Sequence, residues 1–545
     1  MPQVKKAKAT PTPVDEKSSQ SILSEFQGNE LFIAIVGPAG AGAGTAAKRL
    51  KYYLDEAGYA TEIVKASSLI LKAANIKKLD VPVSGRKSID GIQIMQDRGD
   101  DLRKGVEFGY PEDHSAVARL VLTEISRQRA IMQGQDFQLS DEVEPDGEKR
   151  AFIVDSLRHP SEVHLLRRIY QDAFALIGIV CDPLVRETRI TENLFDRGEW
   201  ATEETKTSVR DFLERDQDAP EKYGQHVSDT FHEADFFVDN SESGSDDLSM
   251  TGMNDPLSRF VSLVAQGSII RPTTAETAMH HARSAQMRSA CLSRQVGSAL
   301  VDKHGNVVAT GTNEVPKSGG GVYGEGFDSH LEQDHRCAFR ESKFCSSNKE
   351  QNEIINELID AFPSLTKNAK REDVLKTIRD TRIGGLIEFS RAVHAEMDAI
   401  LSASIAGVSS KGCRLYVTTY PCHYCARHIV AAGIDEVQFI EPYPKSKATT
   451  LHSDAITTES KNWSRPSITN DGEKFENSTG KVLFRPFVGV APRMYRRVFL
   501  KDRDYKDKVS GKWEIGLPRW GGALDNYKVS YVSLEKELGR DALDG

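Results

Sequence analysis

Four residues in the second half of the chain have the types and spacing of a catalytic metal site. His394 and Glu396 form an H-x-E segment, and after 24 further residues a P-C-x-x-C segment carries Cys422 and Cys425. A catalytic zinc ion takes three protein ligands and keeps a fourth position for water. One imidazole and two thiolates are ligands that zinc prefers. The spacing therefore predicts that His394, Cys422 and Cys425 bind Zn²⁺.

Local structure should bring these groups together. Pro421 suits the first turn of a helix, so "PCHYCARHIVAAG" is predicted to begin one. Residues three apart share a helix face, and a helix N-terminus favours thiolate over thiol. Glu396 is expected beside the metal without ligating it, as the group that takes a proton from water and passes it to the leaving group. The alternative, a core histidine and an unrelated cysteine pair, accounts less well for the combined pattern.

Three segments carry a family resemblance: "VGSALVDKHGNVVATGTN", "HAEMDAI" and "LYVTTYPCHYCARHIVAAGIDEVQFIEPYP". They resemble the zinc-dependent deoxycytidylate deaminase family of the cytidine deaminase-like superfamily. Free-cytidine deaminases typically begin with Cys-Ala-Glu, whereas His394-Ala395-Glu396 favours the branch of deoxycytidylate, tRNA-adenosine and pyrimidine-biosynthetic deaminases. The long insertion before His394 favours deoxycytidylate deaminases within that branch. The resemblance implies a cytidine deaminase-like α/β/α domain that converts cytosine to uracil, with release of ammonia, on free deoxycytidine nucleotides.

The resemblance also assigns a substrate contact. In the family, the asparagine of a G-x-N stretch helps to hold the substrate. That position is Asn313 in this chain, and it follows Thr312 where the family usually has tyrosine. A turn residue at the end of a strand is the alternative interpretation of Asn313, and the residues alone do not decide between the two.

A second group of metal-ligand types lies in a polar insertion that runs from about residue 317 to 381. Four such side chains fall within sixteen residues: His330, His335, Cys337 and Cys345. Some deoxycytidylate deaminases carry a structural zinc in the comparable insertion, but this spacing follows no firm zinc rule. A surface loop with incidental histidines is the favoured interpretation. Three further cysteines lie in apolar settings and are predicted to be small core residues: Cys181, Cys291 and Cys413.

The N-terminal half contains a glycine-rich stretch, "GPAGAGAGT", directly after the apolar run "LFIAIV". A glycine-rich loop between a strand and a helix presents backbone N–H groups to phosphate. The predicted loop comprises Gly37, Pro38, Ala39, Gly40, Ala41, Gly42, Ala43, Gly44 and Thr45. Tight strand–helix packing without a ligand is the alternative for such a loop. The strand–loop–helix order favours phosphate binding.

The loop resembles that of nucleoside and nucleotide kinase-like P-loop proteins, with Ala43 at the lysine position. The resemblance implies that Thr45 and Asp155 assist Mg²⁺ at a bound nucleoside triphosphate. It also implies that Arg186, Arg189 and Arg197 act as lid arginines, for which a solvated helix face is the favoured alternative. Since the loop lysine stabilises charge on a transferring phosphate, its absence predicts a domain that binds a nucleotide, or a relic, rather than a working kinase.

Strand-like and helix-like segments alternate from Leu31 to about Asn240, as in a doubly wound α/β domain. The fold prediction is therefore α/β, with a P-loop NTPase-like domain followed by the deaminase-like domain. The predicted boundaries are a disordered tail at 1–28, the first domain at 29–240, a linker at 241–270 and the deaminase domain at 271–545. The linker is predicted from the polar, small-residue-rich stretch that begins at Ser241.

Composition narrows the classes of function. The chain has 545 residues, a net charge of −9 and 7 cysteines, which excludes a disulfide-rich scaffold and disfavours a surface built for nucleic acid. No apolar run approaches a membrane span, and the polar N-terminus has no signal segment, so a cytoplasmic location is predicted. Deamination of a base in RNA or DNA, and a nucleotide-sensing regulatory role, remain the alternative functions.

The combination of the two domains resembles the bacterial antiphage cytidine-nucleotide deaminases. That resemblance covers nearly the whole chain and is most specific in the deaminase segments. It implies deamination of dCTP and dCMP during phage infection, which exhausts a nucleotide pool that the phage needs. It further implies a homo-oligomer and, in some systems, an inhibitory RNA partner.

Overall fold

A computed structural model of the chain describes residues 29–82, 88–139, 141–217, 222–241, 253–265, 268–324, 334–339, 344–386, 388–443, 446–460, 462–469, 480–500, 506–513, 532, 535–536 and 539. The chain divides into two compact units. Unit 1 comprises Met1–Glu233, Asn240–Ile269 and Asp504–Gly545, and unit 2 comprises Ala234–Asp239 and Ile270–Arg503. Each unit is therefore built from separate stretches of sequence. Within the described residues, no helix is both long and apolar enough to cross a bilayer.

Unit 1 contains a parallel sheet. Its strands are β1 (Glu30–Val36), β2 (Ala60–Lys65), β3 (Arg150–Asp155) and β4 (Phe174–Val180), in the spatial order β4-β1-β3-β2. All seven residues of β1 and all seven of β4 are buried, as expected for strands covered on both faces. In register, Phe32 lies beside Phe152 of β3 and Phe174 of β4.

The helices of unit 1 follow the strands in alternation. They are α1 (Ala43–Glu56), α2 (Ala66–Ile76), α3 (Ile89–Lys104), α4 (Ala116–Met132), α5 (Pro160–Tyr170), α6 (Pro183–Leu194), α7 (Glu203–Gln217), α8 (Val227–His232) and α9 (Asn254–Val264). The alternation confirms the predicted mixed α/β class. Whether this unit is a P-loop NTPase-like domain stays a prediction.

Unit 2 contains a mixed sheet. The strands of unit 2 are β5 (Phe236–Asp239), β6 (Gly297–Val301), β7 (Val307–Thr312), β8 (Arg414–Thr419), β9 (Glu436–Glu441), β10 (Ile456–Thr457), β11 (Val482–Pro486) and β12 (Gly489–Val490), of which β6 to β11 form the mixed sheet. The sheet order is β10-β11-β9-β8-β6-β7, with β6 antiparallel to β7 and β8 and the other pairs parallel. β5 and β12 pair with each other in antiparallel orientation and are not strands of this sheet.

The helices of unit 2 are α10 (Thr274–Gln286), α11 (Ser346–Ala361), α12 (Arg371–Arg379), α13 (Ala395–Ile405), α14 (His423–Ala431), α15 (Ala448–Leu451), α16 (Pro466–Thr469) and α17 (Pro492–Phe499). One face of the sheet, α13 and α14 enclose an apolar core that includes Leu415, Val417, Ile429 and Val437. Because both predicted zinc-binding segments border this core, packing fixes their relative positions.

Several details differ from the sequence-based expectations. The predicted linker, 241–270, contains α9, whose apolar face buries Leu257, Phe260 and Val264. The polar insertion contains two helices, α11 and α12. The stretch "VGSALVDKHGNVVATGTN" forms a hairpin of β6 and β7, with its turn at 302–306. Pro421 lies just before the N-cap of α14 rather than in its first turn, because Cys422 takes the N-cap position.

Candidate active site

Two helix N-termini position the predicted metal ligands. His394 is the N-cap residue of α13, and Cys422 is the N-cap residue of α14. The Sγ atom of Cys422 accepts a hydrogen bond from the N–H of Cys425, at 3.4 Å. This capping contact fills a role usually taken by Ser, Thr, Asp or Asn, so one sulfur both caps the helix and faces the site.

The structure brings the three predicted ligands together. Nδ1 of His394 lies 3.3 Å from Sγ of Cys422 and 3.3 Å from Sγ of Cys425. The three donor atoms all lie within 4.8 Å of one another. Both cysteines are buried and the histidine is half-buried. One imidazole and two sulfurs at this spacing fit a tetrahedral zinc ion with its fourth position left for water.

The protonation of the cysteines also suits a metal. The pKa of Cys422 is lowered to about 4, chiefly by a hydrogen bond from the thiol of Cys425 and also by His394, against the effect of burial. The pKa of Cys425 is raised, first by that same hydrogen bond and then by burial. The pair therefore holds one thiolate readily and releases the second proton when a cation binds, because metals bind thiolates.

Glu396 lies in the first turn of α13 beside these ligands. Its side chain is 4% exposed. Burial, followed by the nearby Cys422, raises the pKa of Glu396 to about 7. A carboxyl group that is neither fully ionised nor fully protonated near neutral pH is suited to both accepting and donating a proton.

A cavity of about 250 Å³ opens onto this group of residues. Its lining includes His394, Glu396 and Cys422 together with Asn313. Three arginines line the same cavity: Arg294, Arg336 and Arg391. The cavity thus joins a metal site and a buried carboxyl group to a wall that carries positive charge.

Residues 272–441 match the family described as "Cytidine and deoxycytidylate deaminase zinc-binding region". The match spans the four residues of the site and every residue that lines the cavity except Tyr443. With the His-Cys-Cys group, it supports a zinc-dependent hydrolytic deaminase.

Relatives of known name share this region. The chain is 28% identical over 173 residues to the deoxycytidylate deaminase of Enterobacteria phage T4, covering 32% of this chain and 80% of the relative. It is 48% identical over 54 residues to the ComE operon protein 2 of Bacillus subtilis, covering 10% of this chain and 29% of that protein. A crystal structure of dCMP deaminase from cyanophage S-TIM5 in apo form aligns at 16% identity and a TM-score of 0.20. The alignment covers 40% of this chain and 100% of that chain. The sequence relatives support the deoxycytidylate deaminase family.

Asn313 lines the cavity, and its side-chain amide is held by the backbone. Its Oδ1 accepts from the N–H of Val296 at 2.6 Å, and its Nδ2 donates to the carbonyl of Arg294 at 2.6 Å. The residue is 7% exposed. Asn313 therefore fixes the segment that carries Arg294, and the predicted direct contact with substrate stays a prediction.

Two buried acids support the site and were not found from the sequence. Asp398 accepts from the N–H of Thr312 at 2.9 Å, which ties α13 to the end of β7. Glu314 accepts from the N–H of Ala290 at 2.8 Å and contacts Arg336 at 3.4 Å. The available signal in the sequence was an acidic residue beside each predicted site residue: Asp398 follows Glu396 in a largely apolar segment, and Glu314 follows Asn313.

The second predicted metal cluster does not form among the residues that can be described. His330 lies outside the described residues. Within the described ranges, only His394, Cys422 and Cys425 form a group able to hold a metal, so His335, Cys337 and Cys345 do not. Cys337 and Cys345 line the cavity instead, and so does Cys291. Of the three predicted core cysteines, Cys413 is buried, whereas Cys181 and Cys291 are only half-buried.

The glycine-rich loop lies between β1 and α1 as predicted. Gly37 follows β1, and Ala43, Gly44 and Thr45 form the first turn of α1. Asp155 ends β3, and a Cβ placed on Gly44 would lie 3.6 Å from its Oδ2. Of the arginines predicted to form a lid, Arg186 is buried in α6, Arg189 is half-buried and Arg197 is exposed.

Proposed function

We propose that this chain catalyses the hydrolytic deamination of free deoxycytidine nucleotides, dCMP or dCTP, to the corresponding uracil nucleotides and ammonia. The convergence of His394, Cys422, Cys425 and Glu396 on one cavity supports this function most directly. The sequence relatives named deoxycytidylate deaminase support the choice of substrate class.

The donor set fits zinc, with His394, Cys422 and Cys425 as its three ligands. When bound, zinc lowers the pKa of a coordinated water and so supplies a nucleophile near neutral pH. The N-termini of α13 and α14 point their positive dipole ends at the site, which favours the two thiolates. The close contacts among the three donor atoms mean that little movement is needed to hold the ion.

Glu396 provides the proton transfers. Attack of water on C4 of cytosine forms a C–O bond and ends with cleavage of the C4–N bond. The carboxylate of Glu396 takes a proton from the attacking water and then delivers a proton to the base, so that the amino group departs as ammonia. Its burial at 4% exposure keeps bulk water from competing for these protons.

The arginines of the cavity support a phosphate-bearing substrate. Arg336 is paired with Asp334 and Glu314, and Arg294 is paired with Glu441. Arg391 donates to the carbonyl of His335 and, within the described ranges, has no acidic partner, which leaves its charge the least compensated of the three. A positively charged wall favours a nucleotide over the uncharged nucleoside.

Substitution of Glu396 by alanine tests the assigned role. We expect Glu396→Ala to lower ammonia release from dCMP by at least about a hundredfold, since general acid–base catalysis contributes on that order or more. Zinc content, measured by atomic absorption on the purified chain, should stay near the wild-type value because Glu396 is not a ligand. Turnover at the wild-type rate in this variant would contradict the role of Glu396 in proton transfer.

A substrate panel tests the proposed reaction. Purified chain is assayed for ammonia with dC, dCMP, dCTP, CMP and CTP separately, and each assay is repeated after zinc is removed with a chelator and after zinc is restored. We expect release from a deoxycytidine nucleotide, loss on chelation and recovery on adding zinc. The same assay is run with tRNA and with single-stranded DNA, and ammonia release from these alone would instead identify an enzyme that deaminates bases in nucleic acid.

The geometry of the site does not bear on the other expectations that follow from the family resemblances. Use of dCTP, antiphage defence by nucleotide depletion, an inhibitory RNA partner, a homo-oligomer and a cytoplasmic location all stay predictions from the sequence. The same holds for a nucleoside triphosphate and Mg²⁺ at the glycine-rich loop.

A further inference from the structure

A short stretch of the polar insertion, residues 334–339, forms part of one side of the active-site cavity. Arg336 and Cys337 of this stretch line the cavity together with His394 and Glu396. The stretch lies far from both site residues in sequence, so tertiary contacts must fix its position. We name residues 334–339 the insertion wall.

Arg336 is the best-anchored side chain of the insertion wall. It is 7% exposed. Its Nε donates to the carboxylate of Asp334 at 3.0 Å, its Nη2 donates to the same carboxylate at 2.6 Å, and its Nη1 donates to Glu314 at 3.4 Å. The ring centroids of Tyr323 and Phe339 lie 5.6 and 4.6 Å from the guanidinium carbon. A buried guanidinium with acidic and aromatic partners holds these segments in one arrangement.

Glu314 connects the insertion wall to the segment that leads to the metal site. Its carboxylate accepts from the N–H groups of Ala290 and Val315, at 2.8 and 2.9 Å. Its backbone pairs with Val393 in both directions, at 3.2 and 2.9 Å. Val393 directly precedes His394. The contact between Arg336 and Glu314 therefore sets the distance between the insertion wall and the floor of the cavity.

A second contact holds the insertion wall near the same segment. Nη1 of Arg391 donates to the carbonyl of His335 at 2.5 Å. The metal ligands are held in a different way, because Cys422 and Cys425 belong to the apolar core beneath α13 and α14. The insertion wall and the metal site thus share one cavity but depend on separate contacts.

The charge of Arg336 is compensated inside the protein. Its hydrogen bonds hold the pKa of Asp334 below the usual value, so that carboxyl group is ionised near neutral pH. Its other acidic partner, Glu314, is 1% exposed. With both carboxylates as partners, the guanidinium has little charge left to offer a substrate phosphate. Its effect on a substrate must therefore come from the placement of the insertion wall.

We propose that Arg336 is a positioning residue, which holds the insertion wall on Glu314 and so sets the affinity of the cavity for its nucleotide, an inference that rests on the proposed function. Without this anchor, the insertion wall moves away from the floor of the cavity, and a nucleotide loses contacts in its ground state and its transition state alike. The metal ligands and Glu396 keep their places, so bound substrate reacts as before. A loss of this kind raises KM and leaves kcat unchanged.

Steady-state kinetics of the full-length, zinc-loaded chain with dCMP and with dCTP test the proposal. We expect Arg336→Met to raise KM at least about tenfold, with kcat within about threefold of wild type and zinc content unchanged. Arg336→Lys should give an intermediate KM, because lysine keeps the charge and loses the planar fork of donors. Arg371→Met is the control, since it removes an exposed ion pair with Asp360 in the same insertion and should behave as wild type.

Two kinetic outcomes would overturn the positioning role. One is a wild-type KM in Arg336→Met. The other is a fall of kcat and zinc content together at unchanged KM, which would show that Arg336 supports only the general fold of unit 2.

Alkylation of Cys337 tests the position of the insertion wall without any turnover. Cys337 follows Arg336 and is half-buried, so its labelling by N-ethylmaleimide, followed by peptide mass analysis, reports on how firmly the wall is held. We expect labelling at least about fivefold faster in Arg336→Met than in wild type, and no change in Arg371→Met. Equal rates in Arg336→Met and wild type would overturn the proposal, whether or not the chain deaminates a nucleotide. Faster labelling in a chain that deaminates neither dCMP nor dCTP would refute the proposed function and still support Arg336 as the anchor of the wall.

Discussion

At the scale of single residues, the side-chain amide of Asn313 holds a wall of the cavity. It accepts from one backbone group and donates to another, with Val296 and Arg294 as partners. An aspartate in its place keeps the acceptor but replaces the donor by a negative charge facing a carbonyl oxygen. Because this substitution leaves the three metal ligands unchanged, its effect reports on the role of Asn313 in the cavity wall alone.

We predict that Asn313→Asp destabilises the chain by about 1–3 kcal/mol, the usual cost of leaving a buried polar group unpaired. It should also lower kcat/KM for the nucleotide substrate, because Arg294 moves with the segment that Asn313 fixes. Zinc content should be unchanged. Denaturant unfolding, steady-state kinetics and metal analysis on the same preparation check these three outcomes.

The exposed Asn368 offers a matched control, since Asn368→Asp makes the same chemical change away from the cavity. That variant should behave as wild type in all three measurements. Wild-type kinetics and stability for Asn313→Asp would show that the amide is not needed to hold the cavity wall.

At the scale of elements, the approach of β7 to α13 depends on Gly311. A Cβ at this position would lie 2.1 Å from the carbonyl oxygen of Ala395 and 2.4 Å from the N–H nitrogen of Ala399, both in α13. Since α13 begins directly after His394 and carries Glu396, the contact sets the position of a ligand and of the proton-transfer group. A methyl group here forces the strand and the helix apart.

We predict that Gly311→Ala destabilises the chain by about 1–3 kcal/mol or more, as overpacking of a close backbone contact does. It should also reduce zinc content and deamination together, because His394 moves with α13. Gly324→Ala is the control, since no heavy atom lies within 4 Å of a Cβ there. Full zinc loading and activity in Gly311→Ala would mean that α13 tolerates the displacement.

The sequence predicts the elements that have a strong local pattern. Continuous apolar runs such as "LFIAIV" correspond to buried parallel strands, and the turn "KHGN" corresponds to the β6–β7 hairpin. The residues of α9 are predicted as part of the linker because the stretch that precedes them, from Ser241, is polar and rich in small residues. Its apolar residues nevertheless repeat at helical spacing, at Leu257, Phe260, Val261 and Val264.

Contacts between distant parts of the chain have no such local pattern. Asp398 holds Thr312 across 86 positions, and Asn240 holds Ala41 across 199 positions. The sequence shows these polar residues without showing their partners, because the partners are set by tertiary packing. The zinc ligands were predictable because metal chemistry restricts residue type and spacing locally.

At the scale of the whole molecule, described residues from the first and the last parts of the chain meet inside unit 1. Glu535 is 2% exposed, and its carboxylate accepts from Nη1 of the fully buried Arg129 at 2.7 Å. Arg129 also donates to Glu30 of β1, at 2.9 Å. Tyr170 and Ser126 donate to the same carboxylate, at 2.5 and 3.0 Å. Glu535, from the last part of the chain, thus belongs to the buried hydrogen-bond and ion-pair network that joins Arg129 to the first strand of the sheet.

We predict that Glu535→Ala destabilises unit 1 by about 3–5 kcal/mol, because it leaves buried donors of Arg129, Tyr170 and Ser126 without their acceptor. Hydrogen exchange at the amides of β1 and β3 should accelerate, even though the substitution lies more than 350 residues away in sequence from both strands. Lys536→Ala removes an adjacent, largely exposed ion pair with Glu142 and should cost less than about 1 kcal/mol. Unchanged protection of β1 in Glu535→Ala would show that Glu30 alone balances Arg129, and the C-terminal segment would then be dispensable for the N-terminal fold.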